Sequence, residues 1–168
     1  MRSALLASAM VFAGVAVTAH AAKEALPPLD PALAAQGRSI YAHQCASCHG
    51  PQGEGAPHWQ ARNAQGELPA PPHGPQGHTW KHSDAMLYRI VREGWRDPFN
   101  KTKRLTMPAF RDVLSPRETR AVITFLKTLW KPEQRRFQWE ESRKEPFPPQ
   151  TNRTTRPADD RPPHEHGR

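Results

Sequence analysis

Apolar side chains recur at helical spacing in three stretches of the chain, each bounded by signals for the start or end of a helix. The first stretch begins with Asp30, a good N-cap, and Pro31, which fits the first helical turn, and it ends near Gln44. Gly37 and Tyr41 are four residues apart and therefore share one face of this helix. Because glycine has no side chain, another helix could approach closely there.

A long polar segment separates the first predicted helix from the second. Residues 50–81 are rich in Gly, Pro, His and Gln and show no apolar periodicity, which predicts a loop. A loop of this length inside a compact domain needs something to fold around. Ser83 or Asp84 then caps the second helix, which ends at Gly94.

The third predicted helix opens with a capping box formed by Ser115 and Glu118, and it extends to about Trp130. Its apolar side chains fall at positions i, i+3, i+4 and i+7: Val122, Phe125, Leu126 and Leu129. No segment shows the alternation typical of a strand. The predicted fold class is therefore all-α.

The two ends of the chain differ from this helical part. Residues 1–21 have the pattern of a secretion signal, with Arg2 before a short apolar run and a small-residue cleavage site at its end. An uncleaved membrane anchor is the alternative, although the run is short for a bilayer span. Cleavage would release the mature protein into the periplasm.

Composition suggests that much of the chain lies outside the core, since 19 of its 168 residues are proline and only 36% are hydrophobic. Beyond the helical part we expect one short helix near residues 133–144, packing its aromatic side chains, and disorder from Pro146 onward. The predicted organisation is a signal peptide at 1–21, a linker at 22–29, a helical domain at 30–131 and a Pro/Arg-rich extension at 132–168.

The formal net charge of +8 favours acidic partners. Nucleic acid is not expected among them, because the Arg and Lys residues are scattered along the chain and are not interleaved with aromatics on one helix. Contact with a membrane is expected only indirectly or through an uncleaved signal anchor.

The two cysteines of the chain form its most specific motif. Cys45 and Cys48 are separated by two residues and His49 follows directly, which is the spacing for covalent attachment of haem c. Two thiols can add to the two vinyl groups on one edge of a porphyrin, and the adjacent imidazole can then bind the iron. We therefore predict one haem, held by Cys45 and Cys48, with His49 as the proximal ligand.

Three other interpretations of this motif remain open. A thioredoxin-like redox pair would need a strand before it and a βαβ context, whereas a helical pattern precedes it here. A structural disulfide would close a very small loop and add little stability. A zinc site would need a second ligand pair, and the chain has no other cysteine.

A methionine late in the chain is the best candidate for the second axial ligand, because thioether sulfur binds haem iron well. Of the four methionines, Met1 and Met10 belong to the predicted signal and Met86 lies within the second helix. Met107 precedes a proline in the loop before the third helix, and it is far enough from His49 for the chain to wrap around a haem.

Histidine side chains in the long loop are rival ligands, since neutral imidazole also binds haem iron. The candidates are His58, His73, His78 and His82.

Over roughly residues 31–130 the chain resembles the class I cytochromes c. The resemblance rests on Gly37 and Tyr41, on the motif at residues 45–49, on Met107 with the Pro-Ala-Phe that follows it, and on the amphipathic helix at 115–130. It implies that the first and last helices cross, with Gly37 and Tyr41 against Phe125, Leu126 or Leu129. The segment around His78, Trp80 and His82 is similar to a bacterial periplasmic subgroup, which implies that these three side chains line the haem pocket or bond its propionates.

The function implied by the resemblance is one-electron transfer by a periplasmic monohaem cytochrome c with His/Met ligation. Such a protein is an electron carrier and not an enzyme in its own right. Its expected donors are a quinol-oxidising complex or a dehydrogenase, and its expected acceptors are a terminal oxidase or a reductase. Two alternatives remain: a cytochrome c subunit of a larger membrane-associated redox enzyme, and a haem peroxidase or sensor with a labile distal ligand.

Overall fold

The computed structural model describes residues 24–149, so the predicted signal at 1–21 and the last part of the extension lie outside the described residues. Within that range the chain forms helices and no strand, as expected for an all-α fold. The helices are α1 Pro31–Gln44, α2 Ala46–His49, α3 Asp84–Glu93, α4 Pro116–Thr128 and α5 Pro132–Lys144, with a 3₁₀ turn at Thr79–Lys81 between α2 and α3.

The helices begin where their capping residues predict. The side chain of Asp30 accepts hydrogen bonds from two backbone amides in the first turn of α1. Ser83, and not Asp84, is the N-cap of α3, and its hydroxyl accepts from the amide of Met86. Ser115 and Glu118 form the complete capping box of α4. Local sequence therefore fixes the start of each of these helices.

The core forms where α1 packs on α4. A Cβ atom added at Gly37 would lie 1.9 Å from the carbonyl oxygen of Ala121, so only glycine permits this approach. One turn later, Tyr41 is 2% exposed and its ring centroid lies 5.2 Å from that of Phe125. The expected contact between these two helices is confirmed.

The helix expected in the extension is present as α5, which packs on the 3₁₀ turn and on α3. Its buried side chains are polar, whereas Phe137 is 43% exposed. Phe137 nevertheless packs on an aromatic neighbour, as expected for this helix, since its ring meets that of Trp80 edge-to-face. Ordered packing also continues past Pro146, because Phe147 lies against Tyr88, with ring centroids 6.1 Å apart.

Between residues 24 and 149, no helix combines the length and the apolar character needed to cross a bilayer.

Candidate functional site

The Cys-x-x-Cys-His motif lies at the junction of α1 and α2. The amide of Cys45 donates to the carbonyl of Tyr41 at 2.9 Å and so ends α1, and the amide of His49 donates to the carbonyl of Cys45 at 2.9 Å and closes α2. Cys45 is half-buried, Cys48 is exposed, and both are free thiols. A single helical turn thus presents the two thiols and the imidazole together.

His49 is held in one orientation by the long loop. Its Nδ1 atom lies 2.9 Å from the carbonyl oxygen of Pro71, and because a carbonyl can only accept, Nδ1 must carry the proton. Burial lowers the pKa of His49, which keeps the ring neutral, although the bond to Pro71 opposes this effect. The Nε2 atom is left with a lone pair, as an imidazole that binds a metal requires.

The thiol of Cys45 does not have the character of a redox nucleophile. Burial, reinforced by the neighbouring Cys48, raises the pKa of Cys45 to about 11. Thioredoxin-like proteins instead lower the pKa of one thiol so that the thiolate forms. The helix that leads into the motif, with no strand among residues 24–149, argues against a thioredoxin-like dithiol pair.

A cleft of about 430 Å³ opens beside the motif. Three parts of the chain meet there: the motif, the long loop, and the segment that leads to Met107. The lining residues are Ser47, Cys48, Ala56, Asn63, Glu67, Leu68, Pro69, Ala70, Arg104 and Thr106. A small-molecule cofactor site of this size is ordinary in proteins.

Met107 is anchored through its backbone beside the end of α3. The amide and the carbonyl of Met107 each form a 3.0 Å hydrogen bond with the backbone of Trp95. A Cβ atom added at Gly94 would lie 2.6 Å from the carbonyl oxygen of Met107, and Gly94 has a φ of 79°, so this close approach depends on glycine. The half-buried Met107 side chain packs against the core, directly after the cleft residue Thr106.

The three side chains suggested by the resemblance lie close together before α3 and, like His49 and Met107, are not among the residues that line this cleft. Trp80 donates to the carbonyl of Gly77 at 3.0 Å and packs edge-to-face on Phe137 of α5, with centroids 5.5 Å apart. The rings of His78 and His82 meet edge-to-face, 5.3 Å apart. Their participation in a haem site stays a prediction.

His73 has a position that its sequence context did not indicate. Its ring stacks on that of His49, with centroids 4.1 Å apart, and its Nδ1 atom lies 2.9 Å from the hydroxyl of Thr79. Burial, together with the nearby His49 and His78, lowers the pKa of His73 well below its ordinary value. Because its ring stacks on that of His49, His73 lies on the His49 side of the site and is a poor candidate for a ligand opposite His49.

These residues fit a covalently bound haem. The neutral His49 ring has a free Nε2 atom, and two unpaired thiols lie within one helical turn of it. Cys48 opens onto a cleft that also reaches the residue before Met107. The soft and imidazole donors in this set are those that haem iron takes in c-type cytochromes.

The helical fold and this donor set define a class I c-type cytochrome. The family model described as "Cytochrome C oxidase, cbb3-type, subunit III" matches residues 32–126, which is more than half of the chain, and the chain belongs to that family. Membership in this family of cytochrome c domains implies covalently bound haem c and a role in electron transfer. Comparison with curated proteins and with solved structures gave no match.

Proposed function

We propose that the chain is a periplasmic monohaem cytochrome c that carries one electron at a time, with His49 and Met107 as the axial ligands. The observation that carries the proposal is the imidazole of His49, which is fixed by the carbonyl of Pro71 and directly follows Cys48, a residue that lines the cleft. The proposed periplasmic location is supported by the signal pattern at residues 1–21 and by the generally exported character of c-type cytochromes.

Each residue of the site has a separate task in this proposal. Cys45 and Cys48 would hold the haem through thioether bonds, and His49 and Met107 would supply nitrogen and sulfur donors to its iron. The bound haem supplies the one-electron Fe(III)/Fe(II) couple. The thioether of Met107 favours the reduced state relative to a harder ligand, and the packed core beside it excludes water.

The loop that precedes Met107 gives this side of the cleft a basic and partly aromatic surface. Lys101 and Lys103 are exposed in this loop, whereas the charge of Arg104, which lines the cleft, is paired with that of Glu67. Phe99 in the same loop is 71% exposed. Positive charge at the mouth of the cleft would steer acidic redox partners, such as the proposed oxidase or reductase, and would make their association depend on salt.

Covalent haem attachment tests the proposal. The native chain, purified after export and then denatured, is expected to retain one haem per molecule by mass spectrometry. The Cys45→Ala/Cys48→Ala variant should retain none, and the Met86→Ala variant serves as a control that keeps the haem. A native protein without covalent haem, or one with more than one haem, would contradict the proposal.

A second candidate is a cytochrome c subunit of a larger respiratory oxidase, which is favoured by the description of the family to which the chain belongs. Its donors and acceptors would then be neighbouring subunits. Size-exclusion chromatography of a mild detergent extract separates the two candidates. A monomer at about the mass of one chain supports the carrier, and co-elution with other haem proteins supports the subunit.

A further inference from the structure

Four buried side chains with polar groups lie in the extension that follows the family match, and we call them the polar ladder. Trp130, Gln134, Gln138 and Ser142 follow one another at intervals of four residues, and all four side chains are buried. Gln134, Gln138 and Ser142 share one face of α5, and Trp130 lies in the link between α4 and α5, two residues before α5 begins. The polar ladder faces the segment between the motif and α3.

The ladder binds the backbone of that segment at successive points. Trp130 Nε1 donates to the carbonyl of His73 at 2.8 Å, and Gln134 Nε2 donates to the carbonyl of Pro75 at 2.9 Å. Farther along, Gln138 Nε2 lies 2.8 Å from the carboxylate of Asp84.

At the far end of the ladder, the amide of Asp84 donates to the hydroxyl of Ser142 at 3.0 Å. The segment from 71 to 78 has no helix or strand of its own, and the ladder supplies hydrogen-bond donors to its part-buried carbonyls at His73 and Pro75.

The other side of the same segment contacts the proximal ligand. Pro71 accepts the hydrogen bond of His49, and the ring of His73 stacks on the ring of His49. The amide of His73 also donates to the carbonyl of Gly53 at 2.7 Å. The segment is thus held between His49 on one side and the ladder on the other.

The carbonyls of Pro71 and His73, which bond to His49 and to Trp130, belong to residues only two positions apart. Between them the ring of Pro72 fixes one φ angle, which removes one of the backbone rotations that could uncouple the two carbonyls. A displacement at the carbonyl of His73, where Trp130 binds, is therefore transmitted to the carbonyl of Pro71, where His49 binds.

We infer that Trp130 and Gln134 are positioning residues for the proximal ligand. Trp130, bonded to the carbonyl of His73, and Gln134, bonded to the carbonyl of Pro75, hold the backbone that follows Pro71. They thereby fix the Pro71 carbonyl that accepts the His49 proton and set how strongly His49 donates to the iron. The inference rests on the proposed ligation of haem by His49. A strong hydrogen bond at Nδ1 makes the imidazole more basic and favours the ferric state. Weakening the bond shifts the equilibrium towards the ferrous state.

Trp130→Phe is the main test, because it removes the N–H donor and keeps an aromatic ring in the core. We expect its ferrous-to-ferric ratio at a fixed applied potential to rise about threefold, a positive shift of about 30 mV at 59 mV per tenfold for one electron. The hyperfine-shifted proton resonances of His49 in the ferric protein should move as well. Gln134→Met should change the ferrous-to-ferric ratio and the His49 resonances in the same direction. This second variant tests the inference if Trp130→Phe does not fold.

Trp139→Phe is the matched control, since Trp139 also lies on α5 but faces Arg136 and Arg143 and is not part of the ladder. It should leave both readouts unchanged. If folded Trp130→Phe and Gln134→Met lose stability but keep the native potential and His49 resonances, the ladder is only structural and the inference is wrong. Native protein without haem ligated by His49 would overturn the proposed function, and the inference with it.

Discussion

Arg104 holds the carboxylate of Glu67 at the edge of the cleft, with its Nε atom 2.8 Å from one carboxylate oxygen and its Nη2 atom bonded to the other. Asn63 donates to the same carboxylate at 3.1 Å. This pair joins the long loop to the loop that precedes Met107, across 37 residues of sequence. Both residues line the cleft, so the pair ties together two of its walls.

Because of the ion pair between Glu67 and Arg104, we expect the protein to lose stability in acid. Hydrogen bonds from Arg104 and Asn63 hold the pKa of Glu67 at about 2, against roughly 4.3 for an unfolded glutamate. Between these values the unfolded state binds more protons than the folded state, so stability falls as the pH falls. The contribution of the Glu67 carboxylate to the free energy of unfolding is complete above the pKa of an unfolded glutamate, and it is lost as the pH drops towards 2.

Urea unfolding between pH 7 and pH 2 measures this effect. Glu67→Gln should be less stable than the native protein at pH 7, and the difference should shrink through the window from about 4.3 down to 2. Glu93→Gln, at an exposed position on α3, is the control and should show little difference at any pH. A Glu67→Gln deficit that does not vary with pH would show that the pair is not a source of acid sensitivity.

Gly37→Ala tests the crossing of α1 and α4. Its new methyl group would lie 1.9 Å from the carbonyl oxygen of Ala121, so the helices must separate. We expect a loss of about 1–3 kcal/mol in the free energy of unfolding, although alanine is the better helix former. Ser39→Ala, on the exposed side of the same helix, should be close to neutral. An unchanged or higher stability of Gly37→Ala would mean that the two helices do not approach this closely.

Lys103→Glu tests the electrostatic role of the surface near the cleft. Oxidation of the reduced protein by hexacyanoferrate(III), a small anionic oxidant, should slow several-fold at about 0.01 M salt, where charges act over about 30 Å. The rates of variant and native protein should converge near 1 M salt. Arg117→Glu, at an exposed position on α4 that does not line the cleft, is the control for net charge. Equal slowing by both variants would indicate that only the total charge matters.

Carbon monoxide binding distinguishes a carrier from a peroxidase or a sensor. If Met107 occupies the sixth position, the reduced native protein should bind carbon monoxide slowly or not at all, because binding needs an open iron. Met107→Ala should bind it readily, and Met86→Ala should behave as the native protein does. Rapid binding by the native protein would favour a labile distal ligand and hence the alternative function.

Much of the fold follows from local sequence, because the caps at Asp30, Ser83 and Ser115 act within a few residues of themselves. The haem motif is local in the same way. The path of the long loop does not follow from local sequence. The hydrogen bond from Trp130 to His73 joins positions 57 residues apart, and no local pattern predicts it. The buried face of α5 could not be predicted either, because its residues Gln134, Gln138 and Ser142 are of types that usually lie on an exposed surface.

The visible spectrum of the ferric protein tests the central claim most directly. A haem with sulfur opposite histidine has a weak charge-transfer band at the red end of the spectrum, and the native protein is expected to show it. Met107→Ala should lack the band, while Met86→Ala should keep it. A native spectrum without the band, or a band that survives in Met107→Ala, would contradict ligation by Met107 and with it the proposed His/Met cytochrome.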